Sequence, residues 1–147
     1  MLPSKTAGCP DGPQPSRHSL RNRVDWESHL EVLPLAAWIE YPDSCGVYVN
    51  QAFRRMLALT RPEDIEDERW MDFLHPKDRR AYVKSWNAFL ASNAANFKER
   101  VRWVRPDNGQ TIRLKVWAQR LSNGKLQGWI RENHADQALA KLEELIS

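Results

Sequence analysis

Between Phe97 and Arg131, apolar and polar residues alternate in three consecutive runs, and no other feature of the chain constrains its fold as tightly. A strand turns successive side chains to opposite faces, so strict alternation means an extended segment with one wet face and one buried face. In the first run Phe97, Val101 and Trp103 alternate with Lys98, Arg100 and Arg102. In the second, Ile112, Leu114, Val116 and Ala118 share one face, and Arg113, Lys115, Trp117 and Gln119 share the other. The third sets Leu126, Gly128 and Ile130 against Lys125, Gln127, Trp129 and Arg131. Pro106-Asp107-Asn108-Gly109 and Ser122-Asn123-Gly124 separate the runs with hairpin-turn chemistry. The expected result is an antiparallel meander with one clean apolar face, which the rest of the chain must cover.

The preceding residues supply that cover. Val24, Trp26, Leu30 and Leu33 fit one side of a short opening helix stopped by Pro34. Leu35 to Tyr41 and Val47-Tyr48-Val49 flank the turn residues Pro42 to Gly46 and read as a hairpin. Asn50 is placed to cap a helix containing Phe53, Met56, Leu57 and Leu59, which ends before Pro62. A helical section begins near Trp70, and His75-Pro76-Lys77-Asp78 opens a longer helix, with proline at the first position and an acidic residue in the first turn. Arg79, Val83, Trp86 and Leu90, with Phe89 beside them, share one side of it, and the apolar members are expected to face the core. At the end, Ala135, Leu139, Leu142 and Ile146 have the spacing of a short coiled-coil seam.

Residues 1–23 hold four prolines and hardly any large apolar side chain, so they read as a flexible leader. The leader and Val24 also carry the net charge: Lys5, Arg17, Arg21 and Arg23 stand there against Asp11, while the remainder is balanced. The basic pI therefore gives no nucleic-acid face to the folded part, and no nucleic-acid partner is expected. There is no run of about 18 apolar residues, so no membrane insertion is expected, and the chain reads as cytoplasmic. Three segments follow: leader 1–23, one domain over 24–133, and an exit helix over 134–147.

Two strands, short helices, one longer helix, three long strands and an exit helix is the element order of a PAS domain. Two motifs strengthen the resemblance. Asp43-Ser44-Cys45-Gly46-Val47-Tyr48-Val49-Asn50-Gln51-Ala52-Phe53 resembles the family's aspartate-to-glycine turn, second strand and Asn-x-x-Phe helix start. Trp70 to Arg79 is similar to the Trp-x-x-x-x-His-Pro-x-Asp-Arg run of a subgroup found in bacterial sensor kinases and cyclic-dinucleotide enzymes. The chain departs from the family at two points: Leu59-Thr60-Arg61 stands where glycine often follows the first core helix, and Glu132-Asn133-His134 where Asp-Ile-Thr is favoured. The resemblance implies an α+β fold, with a five-stranded antiparallel sheet, short helices on one face, and flanking N- and C-terminal helices.

The chemistry expected of such a chain is sensing. No nucleophile triad, phosphate loop or metal-ligand pair occurs, and His18, His29, His75 and His134 are scattered, so no catalytic or metal residue is expected. His75 reads as a helix cap, and Asp78 and Arg79 as a dipole partner and a local ion pair. Flavin and haem are not expected. The Gly-x-Asn-Cys-Arg-Phe-Leu-Gln run of flavin-binding members is missing, and residues 77 to 92 contain no histidine. A pocket lined by Phe53, Met56, Leu74, Val83, Trp86, Leu114, Val116 and Ile130 would suit a small apolar ligand. Alternatively these side chains fill the core, since Trp86 sits where a ligand would rest.

Trp117 and Trp129 fall on the outer sheet face and need a cover, which the opening helix with Trp26, Leu30 and Leu33 offers from the same chain or from a partner. The resemblance implies a homodimer through this face. It also implies a downstream effector domain or kinase, a histidine kinase or cyclic-dinucleotide enzyme, reached through the seam Leu139, Leu142 and Ile146. The rival reading is a ligand-free interaction adaptor of the same fold.

Overall fold

The computed structural model describes residues 25–41, 46–61, 64–65, 69–122, 124–133 and 141–146. Residues 25–31 are helical (α1) and lead into strands β1 (Ala36–Glu40) and β2 (Val47–Val49). Helix α2 (Gln51–Leu57), a 3-10 turn (Arg69–Phe73) and helix α3 (Pro76–Ala91) follow, then β3 (Asn96–Val104), β4 (Thr111–Arg120) and β5 (Leu126–Glu132). Residues 141–146 are helical again (α4). The five strands form one antiparallel sheet in the order β2-β1-β5-β4-β3. The α+β expectation and the meander therefore hold. The leader, residues 42–45 of the first hairpin turn, and Leu139 of the exit seam lie outside the described residues.

Register follows from the alternation. Ala118 stands opposite both Phe97 and Gly128, and Val116 opposite Ile130, all on the inner face. Trp117 stands opposite Lys98 and Trp129 on the outer one. Gly109 and Gly124 take positive φ (71° and 85°) in the two turns, where a side chain would be strained. The inner face, α2, the 3-10 turn and α3 enclose one core in which Trp38, Trp70, Trp86 and Trp103 are fully buried. Gly128 exists because of Trp38: a Cβ at position 128 would overlap the Trp38 indole.

Asn50 does more than cap α2. Its Oδ1 accepts from the amides of Phe53 and Ala37, both at 3.0 Å. Its Nδ2 donates to the carbonyls of Leu30 and Leu35, both at 2.8 Å. One buried amide thus ties α1, β1 and α2 together. Helix α2 then ends on Ala58, which is left-handed (φ 57°) and donates its N–H to the Arg54 carbonyl. This is the position where glycine usually stands, one residue before the segment that departs from the family.

Three expectations for the helices are corrected. On α3 the buried residues are Tyr82, Trp86 and Phe89, whereas Val83 is half-buried and Leu90 exposed, because the sheet meets the helix about one position round from the stripe read off the sequence. Asp78 does not pair with Arg79. It forms a two-pronged ion pair with Arg102 on β3 (2.7 and 2.9 Å) and also accepts the Arg102 amide. Finally, among the described residues of the opening helix only Leu30 is buried, on the outer side of β1 with Ala37, Ile39 and Tyr41. Trp26 and Leu33 are exposed.

Candidate functional site

Among the described residues, side chains are organised beyond what packing alone requires in two places: the interior, and the outer face of the sheet. In the interior, the residues expected to line a pocket do come together. Phe53, Leu74, Trp86, Leu114, Val116 and Ile130 are buried in one cluster, with Met56 and Val83 partly buried against it.

That cluster contains polar groups the alternation had not singled out. On β1, Ala36, Trp38 and Glu40 share the inner face, so the strand's one acidic residue turns into the core, where it is 7% exposed. Its Oε1 has no hydrogen-bond partner. Burial pushes the carboxyl up to about 7, and the neighbouring Trp38 indole opposes the rise without closing a bond of good geometry. The Tyr82 hydroxyl, equally buried, is also unpaired. It is pushed well above its ordinary range by burial first, and then by the charges of Glu40 and Glu99. The indole N–H groups of Trp38, Trp70 and Trp86 lack partners as well. By contrast, Trp103, the other fully buried tryptophan of the core, donates to the Leu57 carbonyl at 3.0 Å.

The rings around these groups fall into two sets. Trp70 meets Tyr82 edge-on with ring centres 6.3 Å apart, and Phe97 touches both Tyr82 (5.9 Å) and Trp86 (5.0 Å). Trp38 lies edge-on to Phe53 at 6.1 Å. Glu40 was missed for a simple reason. Leu35 to Tyr41 looks like a continuous apolar run, although a period-two reading places Glu40 on the same face as Trp38.

Outside, Trp117 and Trp129 stack at 6.4 Å with ring planes 18° apart, both half-buried. Trp129 packs against the Leu30 cluster. Helix α1 is held by its own chain: Glu31 pairs with Arg54 at 2.7 Å, and the Tyr41 hydroxyl donates to Glu27 at 2.7 Å. The cover over β1 is thus intramolecular. Leu30, expected at an interface, is therefore not available to a partner.

His75 acts as expected. Its Nδ1 accepts the Lys77 amide at 3.2 Å, and its own N–H donates to the Arg102 carbonyl at 2.9 Å. With Asp78 it clasps the start of α3 to β3. The Arg102 bonds hold the Asp78 carboxyl below its ordinary value. Among the described residues no group of three or more His, Cys, Asp or Glu side chains could hold a metal. None of the described helices is long and apolar enough to cross a membrane. Of the exit seam, Leu142 and Ile146 are exposed.

The profile of the PAS fold matches residues 46–131, more than half of the chain. Among solved structures the fold is similar to the PAS domain of a Colwellia psychrerythraea protein, with TM-score 0.55, 11% identity, and coverage of 78% of this chain and 97% of that one. It is also similar to the N-terminal domain of a diguanylate cyclase with PAS/PAC sensor from Marinobacter aquaeolei, at TM-score 0.54, 16% identity, and 66% and 93% coverage. A domain of a sensory box histidine kinase/response regulator from Geobacter sulfurreducens matches at TM-score 0.52, 20% identity, and 80% and 99% coverage. No curated protein sequence matches.

Proposed function

We propose, since the chain belongs to the PAS fold family, that it is the signal-input and dimerisation module of a bacterial signal-transduction protein. It controls a histidine kinase or a cyclic-dinucleotide enzyme in the cytoplasm and has no catalysis of its own. The Trp70 to Arg79 run supports the subgroup named above. The neighbours from a sensor kinase and a diguanylate cyclase support the class of effector.

One observation carries the reading. Strand β5 is the central strand, paired with both β1 and β4, and its inner residues Gly128 and Ile130 touch the core. Its end is followed by buried Asn133, whose N–H donates to the Arg113 carbonyl at 2.7 Å, and the exit helix comes next in sequence. A change in core packing therefore reaches the end of the strand that precedes the output segment in sequence. Exit helices of this length are marginal alone and gain order when paired and continued into an effector.

The dimer forms through the Trp117–Trp129 stack together with exposed Trp26 and Leu33. Lys98, Lys115 and Arg131 share the sheet face with the stack, so two copies bring like charges together and added salt favours the dimer. The test is a fusion to an effector. One residue inserted after Glu132 rotates the exit seam by about 100° and alters output, and seven inserted residues nearly restore phase and output. Equal activity from both constructs overturns the reading and leaves the adaptor role.

A further inference from the structure

The folded part of the chain is balanced in total charge, but the sheet sorts its charges by face. At the outward positions of β3, β4 and β5 every charged residue is a cation. Register sets these positions in rows across the strands. One row is Arg100, Lys115 and Arg131, cations directly opposite one another. Beside it runs Lys98, Trp117 and Trp129, and beyond that Asn96, Gln119 and Gln127. Like charges directly opposite on neighbouring strands destabilise a sheet, and here no carboxylate relieves them. Lys98, Lys115 and Arg131 form no ion pair among the described residues. The acids of α1 are already engaged, Glu31 with Arg54 and Glu27 with the Tyr41 hydroxyl.

The rows select a chemistry. A line of cations is answered by an anion repeated at short spacing. The stacked pair next to it is half-buried, and Trp117 belongs to neither hydrophobic cluster of the described residues, so its ring offers a surface for flat groups. The amides of the third row both donate and accept, as the edge of a base requires. An acidic peptide or a phospholipid surface supplies the charges without the flat groups, and a duplex hides its bases. A chain of phosphates laid along the cation row sets unpaired bases over the tryptophan row, about 7 Å away along the strands, with their edges towards the amides. Unpaired bases are the ordinary state of RNA loops and ends.

We propose that the outer face of β3, β4 and β5 binds single-stranded RNA, its phosphates on Arg100, Lys115 and Arg131 and its bases on Trp117 and Trp129. Total charge hides such a face, because the balancing acids lie off it. The inference goes beyond the sensor reading and competes with its dimer for the same surface, so the strand and a second copy exclude each other. They also respond to salt in opposite directions, since salt weakens the strand and favours the dimer.

The experiment is fluorescence anisotropy of a dye-labelled oligouridylate of about twelve nucleotides, titrated with the full chain. A Kd of roughly 1–100 µM is expected at about 0.1 M salt, with log affinity falling against log salt at a slope of about −2 to −3, the value for about three or four phosphates. Lys115→Glu turns the contacts with Arg100 and Arg131 into opposite-charge pairs, so it should fold, and it should weaken binding about tenfold or more. Trp117→Leu keeps an apolar side chain but removes the ring, and should weaken binding about fivefold or more. Arg21→Glu, in the leader, should change it less than about twofold. An oligodeoxyuridylate is expected to bind no tighter. The proposal is overturned by no anisotropy change at about 100 µM protein, by wild-type affinity in either sheet variant, or by an equal loss in Arg21→Glu. A duplex, polyglutamate or the deoxy strand binding more tightly than the oligouridylate overturns it as well. Light scattering separates the two readings of the face: a monomer that binds the strand refutes only the dimer, and a dimer that binds the strand without coming apart refutes this placement.

Discussion

Removing the Asn50 side chain should injure this domain far more than removing an ordinary helix cap. A cap of this type is worth roughly 0.5–2 kcal/mol, but Asn50 also closes three bonds outside α2, to Ala37, Leu30 and Leu35, and is fully buried. Asn50→Ala leaves the Ala37 and Phe53 amides and the Leu35 carbonyl without their Asn50 partner, while the Leu30 carbonyl keeps the Leu33 N–H at 3.1 Å. At about 1–3 kcal/mol per group, discounted because neighbouring groups relax together, the expected loss is about 3–5 kcal/mol. Asn50→Asp separates the two halves of the network. It keeps both accepted bonds but turns two donated bonds into oxygen facing oxygen. Because burial beside two carbonyls raises the folded-state pKa of the new carboxyl, its stability is present below the unfolded value of about 3.9 and is lost as pH rises. Urea unfolding followed by tryptophan fluorescence at pH 4 and pH 7 measures both effects. A loss under about 1 kcal/mol for Asn50→Ala, or an Asn50→Asp variant that loses no more stability than the wild type between pH 4 and pH 7, would refute the account of Asn50 as a three-element tie.

Gly128→Ala should cost roughly 1–3 kcal/mol, since the new methyl overlaps Trp38; thermal unfolding checks it, and pairing it with a smaller residue at Trp38 should recover part of the loss. Ala58→Gly should stabilise by about 0.5–1 kcal/mol, because relief of the left-handed strain exceeds the added chain entropy; a urea midpoint that falls would show that the strain is absent. Glu40 has a folded pKa raised to about 7 by burial, so its contribution is complete below its unfolded value near 4.5 and declines as pH rises to 7. Stability of the wild type should therefore fall across that window by an amount on the order of 3 kcal/mol. Glu40→Gln should flatten the profile; identical profiles would mean that the carboxyl is solvated.

The meander, its turns and its register were legible because they depend on neighbours in sequence. Alternation assigns Val116 and Trp117 to opposite faces whatever else the chain does, and a turn needs its glycine locally. The caps at Asn50 and His75 were legible for the same reason. What α3 would bury was less so. The stripe through Val83 and Leu90 and the one through Tyr82 and Phe89 differ by a fraction of a turn, and the choice between them is made by Phe97, which meets Tyr82, Trp86 and Phe89 from the sheet.

Partners across the fold were not legible at all. Asp78 had a cation beside it in sequence, yet it pairs with Arg102, because β3 presents a backbone amide and a guanidinium to the same carboxylate and three bonds outweigh one local contact. Asn50 likewise showed its cap but not its two carbonyl acceptors, which arrive from α1 and the start of β1. Glu40 lies between these cases. Its face could be counted from Trp38, but its burial depends on β5 pairing beside β1 and on the rest of the fold closing over that face. A strand with an acid on its inner face is a local conflict with the fold, and such conflicts persist where something other than packing maintains them. In this core the Glu40 carboxylate is that conflict, its cost met by a raised carboxyl pKa, whereas the Trp103 indole in the same cluster is satisfied by the Leu57 carbonyl.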